Sequence, residues 1–313
     1  MFILRTVNPA VMRIGIDVGG TKIEIVGLDA GGGVALRRRV PTPAGSYAAI
    51  IETIRTLVGA AERDSSARAS VGVGHPGVIS AASGLVKNAN STVLIGKPFG
   101  RDLEAALERP VRLANDANCF ALSESLDGAA AGARVVFGII AGTGVGGGIV
   151  VEGMPLTGVN AIAGEWGHNP LPWPEPGELP GPPCYCGKHG CIETWLSGPA
   201  LASDFARASA RVLGVPEIEA ASRAGDEEAR AALARHAERF AKSLATVLNV
   251  LDPEVVVLGG GVSNLHGLCA AIARRLPRYV FSDVVTTRLT TALHGDSSGV
   301  LGAARLWPPE AAR

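Results

Sequence analysis

Residues 13–28 read RIGIDVGGTKIEIVGL: a short β-rich run, a pair of glycines and a second β-rich run. This order predicts a strand, a glycine turn and a strand. Residues 135–151, VVFGIIAGTGVGGGIVV, repeat the plan, with strands predicted over 135–141 and 148–151 around a Gly-Thr-Gly turn. Because the pattern recurs once, more than a hundred residues later, it indicates two related lobes that face a cleft rather than a solenoid.

Further β-rich and amphipathic runs extend both copies of this plan. A long helix is predicted over 227–251, where apolar residues recur with helical spacing until Asp252-Pro253. A last helix is predicted after Asp296-Ser297-Ser298, whose side chains are of the kind that cap a helix start. The other predicted elements are strands at 34–40, 71–74, 111–114 and 254–258 and a helix at 47–61.

Composition excludes several classes of protein. A chain of 313 residues is long enough for two lobes, each with its own core. Lys and Arg together number 29, as do Asp and Glu, so the charge balance does not favour nucleic acid as a partner. The opening MFILR is too short for the apolar part of a signal peptide, which predicts a cytoplasmic protein. Residues 135–151 carry no charge, but their six glycines and short length argue against a membrane partner.

Three glycine-rich turns each follow a predicted strand: DVGGTK (17–22), GTGVGG (142–147) and GGGVS (259–263). Backbone N–H groups in such turns converge on anions, and three turns in this order favour a nucleotide site over ordinary hairpins. None matches a P-loop or a dinucleotide-binding fingerprint. Asp17 either meets a phosphate-bound Mg²⁺ through water or caps its own turn. The candidate nucleotide contacts are Asp17, Gly19, Gly20, Thr21, Lys22, Gly142, Thr143, Gly144, Gly260 and Gly261.

A polar cluster, Asn115-Asp116-Ala117-Asn118, lies between the strand predicted at 111–114 and a helix that continues through residue 126. One interpretation is that Asp116 or Asn115 only caps the helix. The other makes Asp116 a general base that takes the proton from an attacking hydroxyl group. Phosphoryl transfer needs such a carboxylate together with donors for the phosphates, and the glycine turns would supply those donors.

Residues 184–193, CYCGKHGCIE, hold three of the five cysteines. Cys184, Cys186 and Cys191, with His168 sixteen residues upstream of the first, form a Cys₃His set that is typical of structural zinc. A reducing compartment also favours metal over disulfides. The alternatives are three separately buried thiols or redox chemistry, which lacks a C-x-x-C pair here. The isolated Cys119 and Cys269 are interpreted as small core residues.

The segment between the metal ligands, residues 169–183, contains seven prolines, which predicts a stiff loop without an α-helix. Zinc would hold both of its ends. Glu165 and Glu193 lie just outside those ends and would accept hydrogen bonds from a polyhydroxylated ligand. One imidazole nitrogen of His168 would bind zinc while the other faces that ligand. The metal cluster would therefore support sugar recognition.

Six stretches together resemble the ROK family of sugar kinases, and within it the bacterial fructokinases, over about residues 13–307. They are DVGGTKIE, NDANCFALSE, GTGVGGG, GEWGHNPLPW, CYCGKHGCIE and VVLGGGVS. The resemblance implies an α/β, actin-like (ribonuclease-H-like) fold with two lobes and a central cleft, which binds ATP and Mg²⁺ and converts fructose to fructose 6-phosphate. It implies Asp116 as the catalytic base, a structural Zn²⁺ and a homodimer. The sugar contacts that it implies are Asn90, Asn115, Asp116, Glu165, His168 and Glu193.

The resemblance also suggests how the chain divides. Residues 1–117 would form a smaller lobe, with a helix at 298–313 packing back on it, and residues 118–297 a larger lobe with the zinc-binding loop. Family chains tend to begin at the equivalent of Met12, so residues 1–11 resemble an extension. The twelve residues before the first strand are too few for the DNA-binding domain of the family's transcriptional repressors. Asp116 argues against a sugar sensor without catalysis.

The chain departs from the fructokinase pattern at two positions. Those enzymes often show Trp and Asn where this chain has Val93 and Ile95. Because these positions lie in the loop on the sugar side, the departure concerns the choice of hexose rather than the chemistry. Glucose, mannose and N-acetylated hexosamines are the alternative substrates.

Overall fold

The computed structural model describes residues 12–43, 45–89 and 91–309. The predictions for residues 1–11 and for Asn90 therefore concern positions outside the described residues. Contacts divide the described chain into two compact units. Unit 1 comprises residues 12–123, 157–163 and 297–309, and unit 2 comprises residues 124–156 and 164–296. The lobe boundary at residues 117 and 118 stays a prediction.

The elements alternate between strands and helices, as expected for an α/β protein. The strands are β1 (Arg13–Val18), β2 (Lys22–Leu28), β3 (Val34–Pro41), β4 (Ser70–His75), β5 (Val78–Ile79), β6 (Val86–Lys87), β7 (Val111–Asn115), β8 (Val135–Ala141), β9 (Val145–Val151), β10 (Met154–Pro155), β11 (Val255–Gly259) and β12 (Arg288–Thr291). The helices are α1 (Tyr47–Ser65), α2 (Phe99–Leu107), α3 (Asp116–Leu126), α4 (Glu193–Leu196), α5 (Gly198–Ser209), α6 (Val215–Arg223), α7 (Glu227–Leu251), α8 (Leu268–Ala273) and α9 (Ser298–Arg305).

Unit 1 contains a five-stranded sheet in the order β3-β2-β1-β4-β7. β1 pairs antiparallel with β2 and parallel with β4. Side chains of α1 and α2, including Ile54 and Phe99, belong to the same buried cluster as Ile14 and Ile16 of β1. Val300 and Ala304 of α9 pack with Val26 of β2. The sheet is therefore covered by helices on both faces, which explains why β1 and β2 are almost continuously buried.

Two strand glycines allow α9 to approach the sheet of unit 1 closely. A Cβ atom at Gly15 would overlap the backbone oxygen of Val300, and one at Gly72 would overlap the backbone oxygen of Ala303. Any side chain at these positions would push the helix away from the strands. The glycines therefore fix the distance between α9 and the strands β1 and β4, and Asp17 lies near the end of β1.

Unit 2 contains a second five-stranded sheet, in the order β10-β9-β8-β11-β12. β8 pairs antiparallel with β9 and parallel with β11, so the strand order and directions of unit 1 recur. β9 starts at Val145, three residues before its predicted start at residue 148. Gly147 lies inside the strand, and a Cβ there would come within 2.7 Å of the oxygen of Gly164. Gly147 therefore serves close packing rather than a turn.

The two predicted helix ends differ in outcome. α7 spans Glu227–Leu251 as predicted, with Asp226 accepting a hydrogen bond from the amide of Ala229 and Asp252 in the left-handed conformation that ends it. α9 begins near its predicted start, but Ser297 makes no side-chain capping hydrogen bond. Among the described residues, no helix combines the length and the apolar character needed to cross a membrane.

His236 of α7 is a fully buried titratable group. Its ring lies edge-on to Phe240, with 5.4 Å between the ring centroids. Burial, together with the positive charge of Arg239, lowers the pKa of His236 to about 4. An unfolded histidine has a pKa of about 6.5, so below that pH the unfolded chain takes up a proton that the folded chain excludes. Stability is full above about pH 6.5 and declines as the pH falls toward 4.

We therefore expect His236 to destabilise the folded protein at mildly acidic pH. Between pH 7.5 and 5.5 the free energy of unfolding should fall by about 1.4 kcal/mol more in the wild type than in His236→Gln, which removes the titration. Urea unfolding at the two pH values measures both differences. Equal pH dependence in the two proteins would show that another group is responsible.

Candidate functional site

The junction of β7 and α3 in unit 1 holds the predicted catalytic carboxylate. Asn115 ends β7, and Asp116 begins α3 and is half-buried. The amide of Ala117 donates to Oδ1 of Asn115 and to Oδ1 of Asp116, both at 2.9 Å. Nδ2 of Asn115 donates to the backbone oxygen of Gly77 at 3.1 Å. Asn115 therefore caps the helix and ties it to the chain after β4.

A second carboxylate, Asp17, lies at the end of β1 and close enough to Asp116 for their charges to interact. Burial, followed by the charges of Asp116 and Glu24, raises the pKa of Asp17 to about 7. Burial and the same two aspartates, Asp17 and Asp116, raise the pKa of the neighbouring Cys119 thiol. Paired carboxylates of this kind are oxygen ligands that suit Mg²⁺, directly or through water. The residues present therefore fit the predicted cation.

The first glycine turn, Gly19 to Thr21, connects β1 and β2. The amide of Gly19 donates to the oxygen of Lys22 at 2.9 Å, which closes the hairpin. Oγ1 of Thr42 donates to the oxygen of Gly19 at 2.7 Å. Gly20 and Thr21 are exposed at the tip. The turn is a braced hairpin whose tip remains open to a ligand.

The other two glycine turns lie against each other in unit 2. Gly142, Thr143 and Gly144 connect β8 and β9, and Gly260 and Gly261 follow β11. A Cβ at Gly260, whose φ is +81°, would overlap backbone atoms of Ala141, so this position requires glycine. The structure therefore brings together two turns that are more than a hundred residues apart in the sequence.

A cavity of about 660 Å³ opens beside these turns. Its size lies in the range of small-molecule sites, and its lining is mostly apolar, which suits a nucleoside base. Besides Gly142, Thr143 and Gly261, it is lined by Gly198, Pro199, Ala202, Gly214, Val215, Pro216, Val262 and Asn264. The sequence analysis did not predict that the starts of α5 and α6 contribute to this lining. The Ser-Gly-Pro and Gly-Val-Pro stretches could have indicated them, since proline favours the first turn of a helix.

The predicted Cys₃His set is assembled in unit 2. One ligating atom from each of His168, Cys184, Cys186 and Cys191 lies within 4.8 Å of all the others. Nδ1 of His168 is 3.5 Å from Sγ of Cys184, and the sulfurs of Cys186 and Cys191 are 3.6 Å apart. Ligands around tetrahedral zinc are roughly 3.5–3.8 Å apart. Two of the ligand–ligand distances therefore match tetrahedral zinc, and the other pairs lie within 4.8 Å, so the residues present fit a zinc ion.

The three thiols of the Cys₃His set have different environments. Burial raises the pKa of Cys184, and it raises that of Cys191 to about 12. A hydrogen bond from the backbone of Lys188 lowers the pKa of the exposed Cys186. A cation would bind here by displacing the thiol protons, so its affinity should rise with pH.

The proline-rich loop is held at its middle as well as at its ends. Nε of Arg239 donates to Glu178 at 2.6 Å, and Nζ of Lys242 donates to the oxygen of Trp173 at 2.7 Å. Lys242 also pairs with Glu175 at 3.1 Å. These contacts with α7 were missed in the sequence analysis, because partners more than sixty residues apart leave no local pattern.

Four polar side chains, His168 of the Cys₃His set among them, influence one another at this end of the loop. Burial, with the nearby charge of Glu193, raises the pKa of Glu165, which the charge of His168 partly offsets. Nε2 of His168 lies 2.9 Å from the hydroxyl of Tyr185. Burial of that hydroxyl, with the charges of Glu193 and Glu165, raises the pKa of Tyr185 to about 12. Glu165, His168 and Glu193 are thus brought together as predicted, while Tyr185 was not foreseen.

Glu193 connects this polar group to the glycine turn of the cavity. Its Oε2 accepts a hydrogen bond from the amide of Val145 at 2.9 Å. Val145 directly follows Gly144, and the adjoining Gly142 and Thr143 line the cavity. A ligand on the carboxylates and a ligand in the cavity would therefore be separated by one short turn.

Comparisons with known proteins find relatives that match nearly the whole chain. A sequence profile of the ROK family matches residues 13–310. N-acetyl-D-glucosamine kinase of Escherichia coli O1:K1 / APEC is 42% identical over 299 residues, which cover 94% of this chain and 99% of that protein.

Solved structures share the fold. A ROK hexokinase from Thermus thermophilus superposes with a TM-score of 0.83 at 35% identity, over 94% of this chain and 96% of that one. A ROK family glucokinase from Streptomyces griseus, in complex with glucose and AMPPNP, gives 0.76 at 29% identity, over 94% and 98% of the two chains. The predicted actin-like α/β fold is confirmed.

Proposed function

The chain belongs to the ROK family, and we propose that it is a hexose kinase that transfers the γ-phosphoryl group of ATP to a sugar hydroxyl. The observation that carries the proposal is the hydrogen bond between Glu193 and the amide of Val145. It joins the group of Glu165, His168 and Glu193 to the turn that lines the 660 Å³ cavity. Sugar and phosphoryl donor would thus have adjoining places, as a direct transfer requires.

Asp116 is the proposed catalytic base. Its carboxylate takes the proton from the attacking sugar hydroxyl as the bond to phosphorus forms, and the bond between that phosphorus and the bridging oxygen of ADP breaks. Asn115 keeps Asp116 in place through the bond to Gly77 and the shared amide of Ala117. Both interpretations of this cluster are therefore used: Asn115 caps the helix, while Asp116 reacts.

The nucleotide is proposed to bind with its base in the cavity and its phosphates at the glycine turns. The backbone amides of Thr143, Gly144 and Gly261 are the proposed phosphate donors in unit 2. Gly19 to Lys22 are further proposed phosphate donors, and Asp17 would hold Mg²⁺ through water. Bound Mg²⁺ supplies positive charge that offsets the charge developing on the phosphates.

Two hexoses lead the candidate substrates, each for a separate reason. The 42% identity to N-acetyl-D-glucosamine kinase favours that sugar. Ile95, which the resemblance places in the loop on the sugar side, is an exposed apolar side chain and would suit an acetyl methyl group better than a hydroxyl. The resemblance of the six motifs to bacterial fructokinases favours fructose. Val93 packs against the core of unit 1, so it bears less on this choice.

The test is hexose-dependent release of ADP over a panel of N-acetyl-D-glucosamine, fructose, glucose, mannose and N-acetylmannosamine. We expect kcat/KM for one of the first two sugars to exceed the values for glucose and mannose by at least about tenfold. Highest turnover on glucose or mannose would contradict the proposed substrates. Sugar binding without any ADP release would favour the alternative, a sugar-sensing regulator.

A further inference from the structure

The hydroxyl of Tyr185 lies beside Nε2 of His168, the nitrogen with which a bound sugar is proposed to form a hydrogen bond. The hydroxyl oxygen is 2.9 Å from Nε2, and the tyrosine ring meets the imidazole edge-on, with 5.0 Å between the centroids. The other ring nitrogen, Nδ1, lies 3.5 Å from Sγ of Cys184. The imidazole therefore directs Nδ1 toward the cysteines of the predicted metal site and Nε2 toward Tyr185.

A zinc ion held by Nδ1 of His168 and the cysteines would determine which nitrogen carries the proton. A neutral imidazole that binds zinc through Nδ1 keeps its hydrogen on Nε2, so Nε2–H donates to the Tyr185 oxygen. One N–H group makes one linear hydrogen bond. A sugar hydroxyl can accept from Nε2 only where Tyr185 does not.

The tyrosine hydroxyl lies at hydrogen-bond distance from Nε2 of His168 and close enough to Glu193 and Glu165 for their charges to act on it. Yet 68% of the residue is exposed, so rotation of the ring away from His168 would give up little buried surface.

We propose that Tyr185 competes with the sugar for Nε2 of His168 and thereby sets the affinity of the sugar site. The inference rests on the proposed function. Sugar binding exchanges one hydroxyl for another at the same nitrogen, so the contact with His168 contributes little net free energy while Tyr185 is present. Tyr185 acts on the sugar through His168 and is a positioning residue.

The test removes the hydroxyl in the zinc-loaded, full-length protein. In Tyr185→Phe the Kd for N-acetyl-D-glucosamine or fructose, whichever the wild type binds, should fall roughly three- to tenfold, because a net hydrogen bond of this kind is no longer broken on binding. KM should fall with it, while kcat and the Kd for ATP stay within about twofold. Titration calorimetry gives both dissociation constants, and elemental analysis gives the zinc content.

Three further measurements test whether the effect comes from the hydroxyl of Tyr185. Tyr279→Phe removes a hydroxyl bound to Glu238 and should leave the Kd for the sugar unchanged. Tyr185→Leu, which also lacks the hydroxyl, should tighten binding if the phenylalanine variant folds poorly. In ¹⁵N-histidine spectra, the Nε2 proton of His168 should exchange slowly in the wild type and rapidly in Tyr185→Phe, a difference that needs no sugar.

An unchanged Kd for the sugar in both Tyr185 variants, with zinc in place, would overturn the inference. A higher Kd for the sugar would also overturn the inference, because weaker binding without the hydroxyl would make Tyr185 a direct sugar contact. If the wild type bound no hexose of the panel, the proposed function would fail first, and the inference with it.

Discussion

Asp116→Asn should lower kcat by on the order of 10² to 10⁴, while the Kd for the sugar changes by less than about threefold. A base acts on a proton that leaves only in the transition state, so its loss affects the chemical step more than binding. Asparagine keeps an oxygen that can accept from the amide of Ala117, so the start of α3 is preserved. Steady-state ADP release and calorimetric sugar binding measure the two quantities separately.

The matched control is Asp64→Asn. Asp64 is an exposed carboxylate of unit 1 that pairs with Arg38, and its loss should leave kcat unchanged. Zinc content and the urea midpoint of each variant show whether the fold is intact. Near-normal turnover in Asp116→Asn would remove Asp116 from the role of base and leave it as a helix-capping residue.

Strand and helix patterns allowed much of the fold to be predicted, because apolar periodicity reports burial directly. α7 was predicted over about the range that it occupies, since apolar residues recur with helical spacing until Asp252-Pro253. β9 was predicted three residues too short. Glycines at 146–148 suggest a turn when read locally, whereas Gly147 is small because Gly164 and Trp166 approach it from elsewhere in the chain. Packing of this kind has no local signature.

The candidate site shows the same difference between features with a local sequence pattern and features that depend on tertiary contacts. The spacing of the clustered cysteines and His168 indicated the metal cluster, because all four residues lie within one short stretch. The pairs of Arg239 and Lys242 with the loop, and the cavity at the starts of α5 and α6, depend on tertiary contacts and were missed. Tyr185 stood in the quoted stretch, but nothing in a sequence indicates which nitrogen of His168 its hydroxyl reaches.

Removing the metal should separate sugar binding from nucleotide binding. In zinc-stripped protein, or in Cys186→Ser, we expect the Kd for the sugar to rise by on the order of 10², while the Kd for ATP stays within about threefold. His168 ends a short 3₁₀ turn that starts just after Glu165, and Cys191 precedes Glu193 by two residues, so we expect a bound metal to help fix the position of both carboxylates. The cavity lining includes no metal ligand.

The structure also indicates why the stripped protein should stay folded. Arg239 and Lys242 hold the middle of the proline-rich loop through Glu178, Glu175 and the oxygen of Trp173, independently of the metal. Cys269→Ser, a half-buried cysteine outside the cluster, is the matched control and should retain zinc and sugar affinity. Elemental analysis confirms the metal content of each protein, and calorimetry gives both dissociation constants. An unchanged Kd for the sugar in protein without metal would mean that Glu165 and Glu193 are positioned by the contacts with α7 and Val145 alone, and that the metal has no part in sugar recognition.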